Sequence, residues 1–186
     1  MEYESNEEKS TTVLEDSGIF ILSSEIDCDV AKEVVTWILE SNLKKDRSYE
    51  TLTLIINSPG GELTDAFAII DTMNGSDIPV YTVGLGQICS AGLLIFINGA
   101  YRVLTPNTCI MCHHYSWWLG GTHSELVSAR KEQDLMEYRM IRHIKRCTGI
   151  SKAGIKKNLL KESDVYLDSK EAINFGLCEE VKELRK

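Results

Sequence analysis

Thr51-Leu52-Thr53-Leu54-Ile55-Ile56-Asn57-Ser58-Pro59-Gly60-Gly61 decides how this chain is read. Thr51–Ile56 is a β-rich run. Asn57 to Gly61 is a dense turn signal that ends it. Leu63, Ala66, Phe67, Ile70 and Met73 then recur at helical spacing, closed by Asn74-Gly75. Strand, tight turn and helix in quick succession suggest a βαβ unit. Upstream, Ile19-Phe20-Ile21-Leu22 reads as a buried strand. Asp27 and Asp29 can cap a helix carrying Val30, Ala31, Val34, Val35, Ile38 and Leu39. Downstream, Pro79–Val83 is a third strand, followed by Gly84-Leu85-Gly86-Gln87 and then by Cys89–Ile97, small and apolar, which fits a buried helix. Tyr101–Leu104 and Thr108–Met111 are further strands. The alternation predicts an α/β fold around a largely parallel sheet.

From Thr122 the character changes. Thr122, His123, Ser124 and Glu125 form a capping box, and helical composition runs to Arg146 before Thr148-Gly149 stops it. Such a helix spans roughly 38 Å at 1.5 Å per residue. Leu126, Ala129, Met136, Met140 and Ile144 lie near one face, but Arg130–Asp134 is wholly polar; the helix reads either as one that projects from the body and needs a partner chain for its apolar patches, or as an ordinary long surface helix. A last helix–strand unit opens on a capping box of Asp168/Ser169 and Glu171 and stops at Gly176.

The whole chain has 186 residues, enough for one domain with a real core. We expect a flexible N-terminal arm over 1–17 and a single domain over 18–186, its projecting helix at about 122–147. There are 28 acidic and 20 basic residues, a formal charge of −8. That balance argues against nucleic acid, which needs a basic footprint, and against an anionic membrane surface. The longest apolar stretch, around Gly92–Ala100, is far below the ~20 residues of a membrane span. No basic segment followed by an apolar one marks a secretory signal, so a cytoplasmic location is expected and the six cysteines read as reduced thiols. Cys109-Ile110-Met111-Cys112-His113 spells a haem-attachment pattern. It lies in a β-rich run, where Cys109 and Cys112 point to opposite faces. No second ligand pair stands at zinc spacing. We expect no metal and no cofactor.

Several residues can carry chemistry. Ser90, in Gly86-Gln87-Ile88-Cys89-Ser90-Ala91-Gly92, stands where an apolar helix begins. A serine there lies beside unsatisfied N–H groups and the positive end of the helix dipole, which can stabilise an oxyanion. Taken alone, it caps a helix. Gly60-Gly61 is a turn, or else a bare backbone edge for an added peptide strand. His113 and His114 follow a strand, where a histidine can serve as a general base. His123 and His143 look structural. Asp164 is of interest only as an orienting partner for a histidine.

Together these segments resemble the ClpP family, the proteolytic subunit of the ATP-dependent caseinolytic (Clp) protease, a serine peptidase. The carrying residues are Ile55–Gly61, Ala68–Met73, Gly86-Gln87 with Ser90-Ala91-Gly92, and Pro106-Asn107 with Ile110-Met111 and His113. Asp164 with Tyr166, and Ser169 through Leu177, complete the order. The resemblance implies a ClpP/crotonase-like fold of repeated ββα units, with the helix from Thr122 as its handle. By position, Ser90 is implied as nucleophile, His113 as base and Asp164 as the orienting acid. The N–H groups of Gly61 and Ala91 are implied as the oxyanion hole, and Gly60, Gly61 and Glu62 as the edge that binds substrate. His114 is the neighbouring alternative for the base. The implied activity is endopeptidase action on peptides and unfolded proteins inside a homo-oligomeric barrel of heptameric rings, or a tetradecamer, fed by a hexameric AAA+ unfoldase. Two other readings remain: a crotonase-type acyl-CoA enzyme, and a non-catalytic ring or assembly subunit. The chain departs from the family in the aromatic segment His114–Trp118, in Cys89 beside the nucleophile and in its acidic N-terminus, features that suit a divergent or phage-type member.

Overall fold

The computed structural model describes residues 13–115 and 122–184. Its strands are β1 (Ile19–Leu22), β2 (Leu52–Ser58), β3 (Val80–Cys89), β4 (Arg102–Leu104), β5 (Cys109–Cys112), β6 (Val165–Leu167) and β7 (Glu180–Val181). Its helices are α1 (Cys28–Leu43), α2 (Leu63–Gly75), α3 (Ala91–Phe96), α4 (His123–Thr148), α5 (Lys152–Asn158) and α6 (Ser169–Asn174). The sheet runs β1-β2-β3-β4-β7, with β5 on β3 and β6 on β5. Every pairing is parallel except β5–β6. Of the expected arm, residues 1–12 lie outside the described residues. Val13–Ser17 form a hydrogen-bonded turn, with Asp16 2.9 Å from Lys44.

The caps form from local interactions. Asp27 accepts from the Val30 N–H, and Thr122/Glu125 and Asp168/Glu171 are reciprocal capping boxes. The alternating residues of β2, Leu52, Leu54 and Ile56, are fully buried against the helices. They join Val34 and Ile38 of α1, Ile69 and Ile70 of α2, and the wholly apolar α3 in one core. Sequence and structure part at β3. The strand expected to end at Val83 runs on through Gly84–Gln87 to Cys89, and the helix expected over Cys89–Ile97 begins only at Ala91. Tertiary pairing overrides the glycines. The first half of β3 is held between β2 and β4, and its second half by β5, with the β2 register jumping from Ile56↔Gly84 to Ser58↔Ile88. The extra residues bulge there, and the Asn57 side chain accepts from the Gln87 N–H at 3.2 Å.

The N-terminal half of α4 is largely exposed, including Leu126, Val127 and Leu135; burial begins at Met136. His143 anchors the packed half. Its Nε2 donates to the Leu94 carbonyl of α3 at 2.8 Å, and its Nδ1 accepts from Arg146 at 3.2 Å. That arrangement requires a neutral ring. Burial, reinforced by Arg146 and Arg142 and outweighing the opposing Leu94 bond and Asp71 charge, lowers its pKa from 6.5 to about 4. The unfolded chain therefore binds this proton more readily than the folded one. Stability is intact above pH 6.5 and falls progressively toward pH 4, by about 3 kcal/mol for the full shift. Urea midpoints measured from pH 7 to 4 should show this loss, and His143→Gln, which keeps a donor for Leu94, should flatten it.

Candidate active site

Three elements meet at one end of the sheet. Ser90 lies between β3 and α3, with φ 52°, ψ −119°, and is the sole non-glycine with positive φ among the described residues. This costly conformation turns the chain sharply from strand to helix and lifts the side chain out of the sheet. Its N–H continues the parallel ladder, donating to the Met111 carbonyl at 2.9 Å.

His113 follows the last residue of β5, and Asp164 precedes the first residue of β6. The antiparallel register pairs Met111 with Tyr166 and Cys112 with Val165. The next step along that register sets His113 opposite Asp164. His113 Nε2 lies 2.7 Å from Ser90 Oγ, a full hydrogen bond. His113 Nδ1 lies 3.8 Å from Asp164 Oδ1, in ion-pair range but longer than a hydrogen bond. The Asp164 side chain is half exposed at 52%, so water also reaches it. The structure thus brings Ser90 and His113 into contact, with Asp164 beside them.

The glycine turn closes the other side. Ile26 donates to the Gly60 carbonyl and accepts from the Glu62 N–H, both at 2.8 Å. In that parallel bridge the intervening Gly61 turns its own N–H and C=O to the opposite edge. Gly60 and Gly61 have φ of 99° and 146°. A side chain on Gly60 would come within 2.8 Å of the Ser90 Cβ, and one on Gly61 within 2.1 Å of the Ile26 carbonyl oxygen. Only glycine permits this approach. Ala91, the first residue of α3, has no intrahelical acceptor for its N–H. Bare N–H groups beside a serine–histidine pair suit acyl transfer through a tetrahedral oxyanion.

The comparisons agree. A sequence model of the Clp protease family matches residues 2–185. The chain belongs to the Clp protease family. A relative from Treponema denticola, named ATP-dependent Clp protease proteolytic subunit 2, is 26% identical over 194 residues, covering 98% of this chain and 95% of its own length. As a Clp protease the chain is a serine-type peptidase, the proteolytic subunit of its system, and the α/β architecture is that of the family. The crotonase and non-catalytic readings are set aside.

Burial raises the Cys89 thiol and pushes Cys112 up to about 12. Cys109 is exposed and Cys112 buried, as opposite faces of a strand require, and no metal-binding cluster forms among the described residues. His114 and Tyr115 are described, whereas Ser116–Gly121, with the rest of the aromatic departure, lie outside the described residues. That Ser58 and Ile26 hold the glycine turn is not legible in the sequence. The Ser58-Pro59-Gly60-Gly61 run was the available signal, but it shows no partner for the hydroxyl.

Proposed function

We propose that Ser90, His113 and Asp164 are the catalytic triad, with the Gly61 and Ala91 N–H groups as oxyanion hole and Gly60–Glu62 as the substrate edge. The 2.7 Å contact between His113 Nε2 and Ser90 Oγ carries this reading. His113 takes the Ser90 proton as Oγ attacks the peptide carbonyl, then returns it to the leaving amine. It next activates the water that releases the acyl group. Asp164, facing Nδ1, holds the ring in the tautomer that leaves Nε2 free to accept. The free edge of Gly61 receives the substrate backbone as an added strand.

The register of the base has a direct test. A fluorophosphonate should label Ser90 in the parent and in His114→Ala, and label His113→Ala at least about 100-fold more slowly. Loss confined to His114→Ala would shift the base by one residue; labelling elsewhere with Ser90 untouched would overturn the triad.

The same reading extends to assembly. The described residues from Gly18 onward belong to a single domain. The exposed apolar residues of α4 support its role as a handle between two heptameric rings in a tetradecamer; the words ATP-dependent and proteolytic subunit in the relative's name support an ATPase partner, for which a hexameric AAA+ unfoldase in the cytoplasm is the proposed identity. Native mass spectrometry reads the subunit number; a stable monomer would contradict the barrel.

A further inference from the structure

We propose that Ser58 is a positioning residue whose hydroxyl sets the direction of the Gly61 N–H toward the oxyanion. The proposal rests on the reading of Ser90 and Gly61 given above.

Ser58 is the last residue of β2, and its side chain is wholly buried, at 0% exposure. A buried hydroxyl must have partners. Its Oγ donates to the Ser24 carbonyl at 2.6 Å and accepts from the Gly60 N–H at 3.1 Å. A hydroxyl has one proton. Giving it to Ser24 turns the oxygen lone pairs toward Gly60. The Ser58 side chain also sits against the first turn of α3, where a Cβ on Gly92 would lie 3.4 Å from Ser58 Cβ. It therefore touches both the glycine turn and the helix that begins after Ser90.

The turn needs such a clamp because its own residues do not define it. Gly60 and Gly61 lie in glycine-only regions and have wide conformational freedom. Ile26 fixes the Gly60 carbonyl and the Glu62 N–H from outside. The Gly60 N–H is fixed from inside by Ser58. The Gly61 N–H shares a peptide plane with the Gly60 carbonyl that Ile26 holds, and Ser58 holds the plane before it, so the two anchors together set the Gly60 torsions and with them the tilt of the Gly61 N–H. An oxyanion donor misaimed by a fraction of an ångström stabilises the transition state less while leaving ground-state binding nearly intact.

Ser58→Ala removes the clamp; Ser58→Cys keeps the volume but supplies only a weak acceptor. In both, kcat on a short peptide should fall about 10- to 100-fold with KM within about twofold. Affinity for a peptide boronate, whose adduct mimics the tetrahedral intermediate, should fall in step with kcat/KM. The acid limb of the pH–rate profile should not move, since the Ser90–His113 pair is untouched. A folded variant that keeps parental kcat overturns the proposal. So does a loss that tracks thermal melting and disappears on cooling, or the failure of both variants to fold, since the hydroxyl then serves only the fold. Fluorophosphonate labelling of the parent separates the two readings. Labelling at Ser90 with fully active Ser58 variants sinks Ser58 alone, whereas labelling away from Ser90 sinks the triad and Ser58 with it.

Discussion

Ser90→Ala is expected to lower kcat for peptide hydrolysis by about 10⁴-fold or more. The proposed acyl-enzyme route needs a nucleophile where Oγ stands, 2.7 Å from the nitrogen proposed to take its proton. Alanine supplies none, and what remains is hydrolysis by water aided by the oxyanion donors. The fold should be unaffected. The described partner of the hydroxyl is the part-exposed His113, and alanine meets the same backbone cost as serine at φ 52°. The thermal midpoint should therefore stay within a degree or two, corresponding to about 0.5 kcal/mol or less. Adding His113→Ala to Ser90→Ala should cost little more, because the two residues act as one unit. Peptide turnover at matched concentration, beside a circular-dichroism melt, gives both readings. A folded Ser90→Ala variant retaining a tenth of parental turnover would remove Ser90 from the chemistry.

Arg102→Leu should be strongly destabilising although it lies away from the site. Arg102 begins β4, its side chain only 10% exposed, and its guanidinium is paired with Glu179 just before β7. Backbone bonds flank the pair: the Arg102 N–H donates to the Glu179 carboxylate at 2.7 Å, and the Glu179 N–H donates to the Arg102 carbonyl at 3.0 Å. Arg102 also donates to the Cys147 carbonyl near the end of α4 at 3.1 Å. One cation thus ties the sheet edge to the long helix. Burial alone would raise the Glu179 carboxyl, but the Arg102 hydrogen bonds and charge outweigh it and hold it below the usual carboxylate range. Leucine leaves that carboxylate and the Cys147 carbonyl without their cation. Removing one partner of a buried pair costs about 3–5 kcal/mol, and the partial exposure of Glu179 places this case near about 3 kcal/mol. Urea unfolding should show the midpoint shift. The double replacement Arg102→Leu/Glu179→Leu should recover part of it, since no charge is left stranded. In the parent, this contribution is present above the unfolded carboxyl pKa and lost as pH falls through the depressed folded value; Arg102→Leu should lack that acid-side loss. A variant as stable as the parent would mean the pair contributes nothing net.

Much of this could be read before any coordinates. The strand at Ile19–Leu22, the helices after Asp27, Glu62 and Thr122, and both capping boxes follow from apolar spacing and from hydrogen bonds that span three residues. The motif segments also carried the family, because a joint pattern in fixed order is far more specific than any one piece. The extension of β3 past Val83 is not legible locally. Two glycines in four residues disfavour a strand, and only pairing with β2, β4 and β5 makes them one.

The sequence by itself determined the alternation of elements, their caps, the family and the candidate residues, since each rests on neighbours within a turn or on motif identity. Tertiary structure decided the register. Parallel pairing of β3 with β5 and antiparallel pairing of β5 with β6 bring Ser90, His113 and Asp164 to one end of the sheet. It also joined Arg102 to Glu179 and placed Ser58 beneath Gly60. These contacts are set by strand pairing and core packing between distant segments, and a one-residue slip in any pairing would turn the side chains to the opposite face.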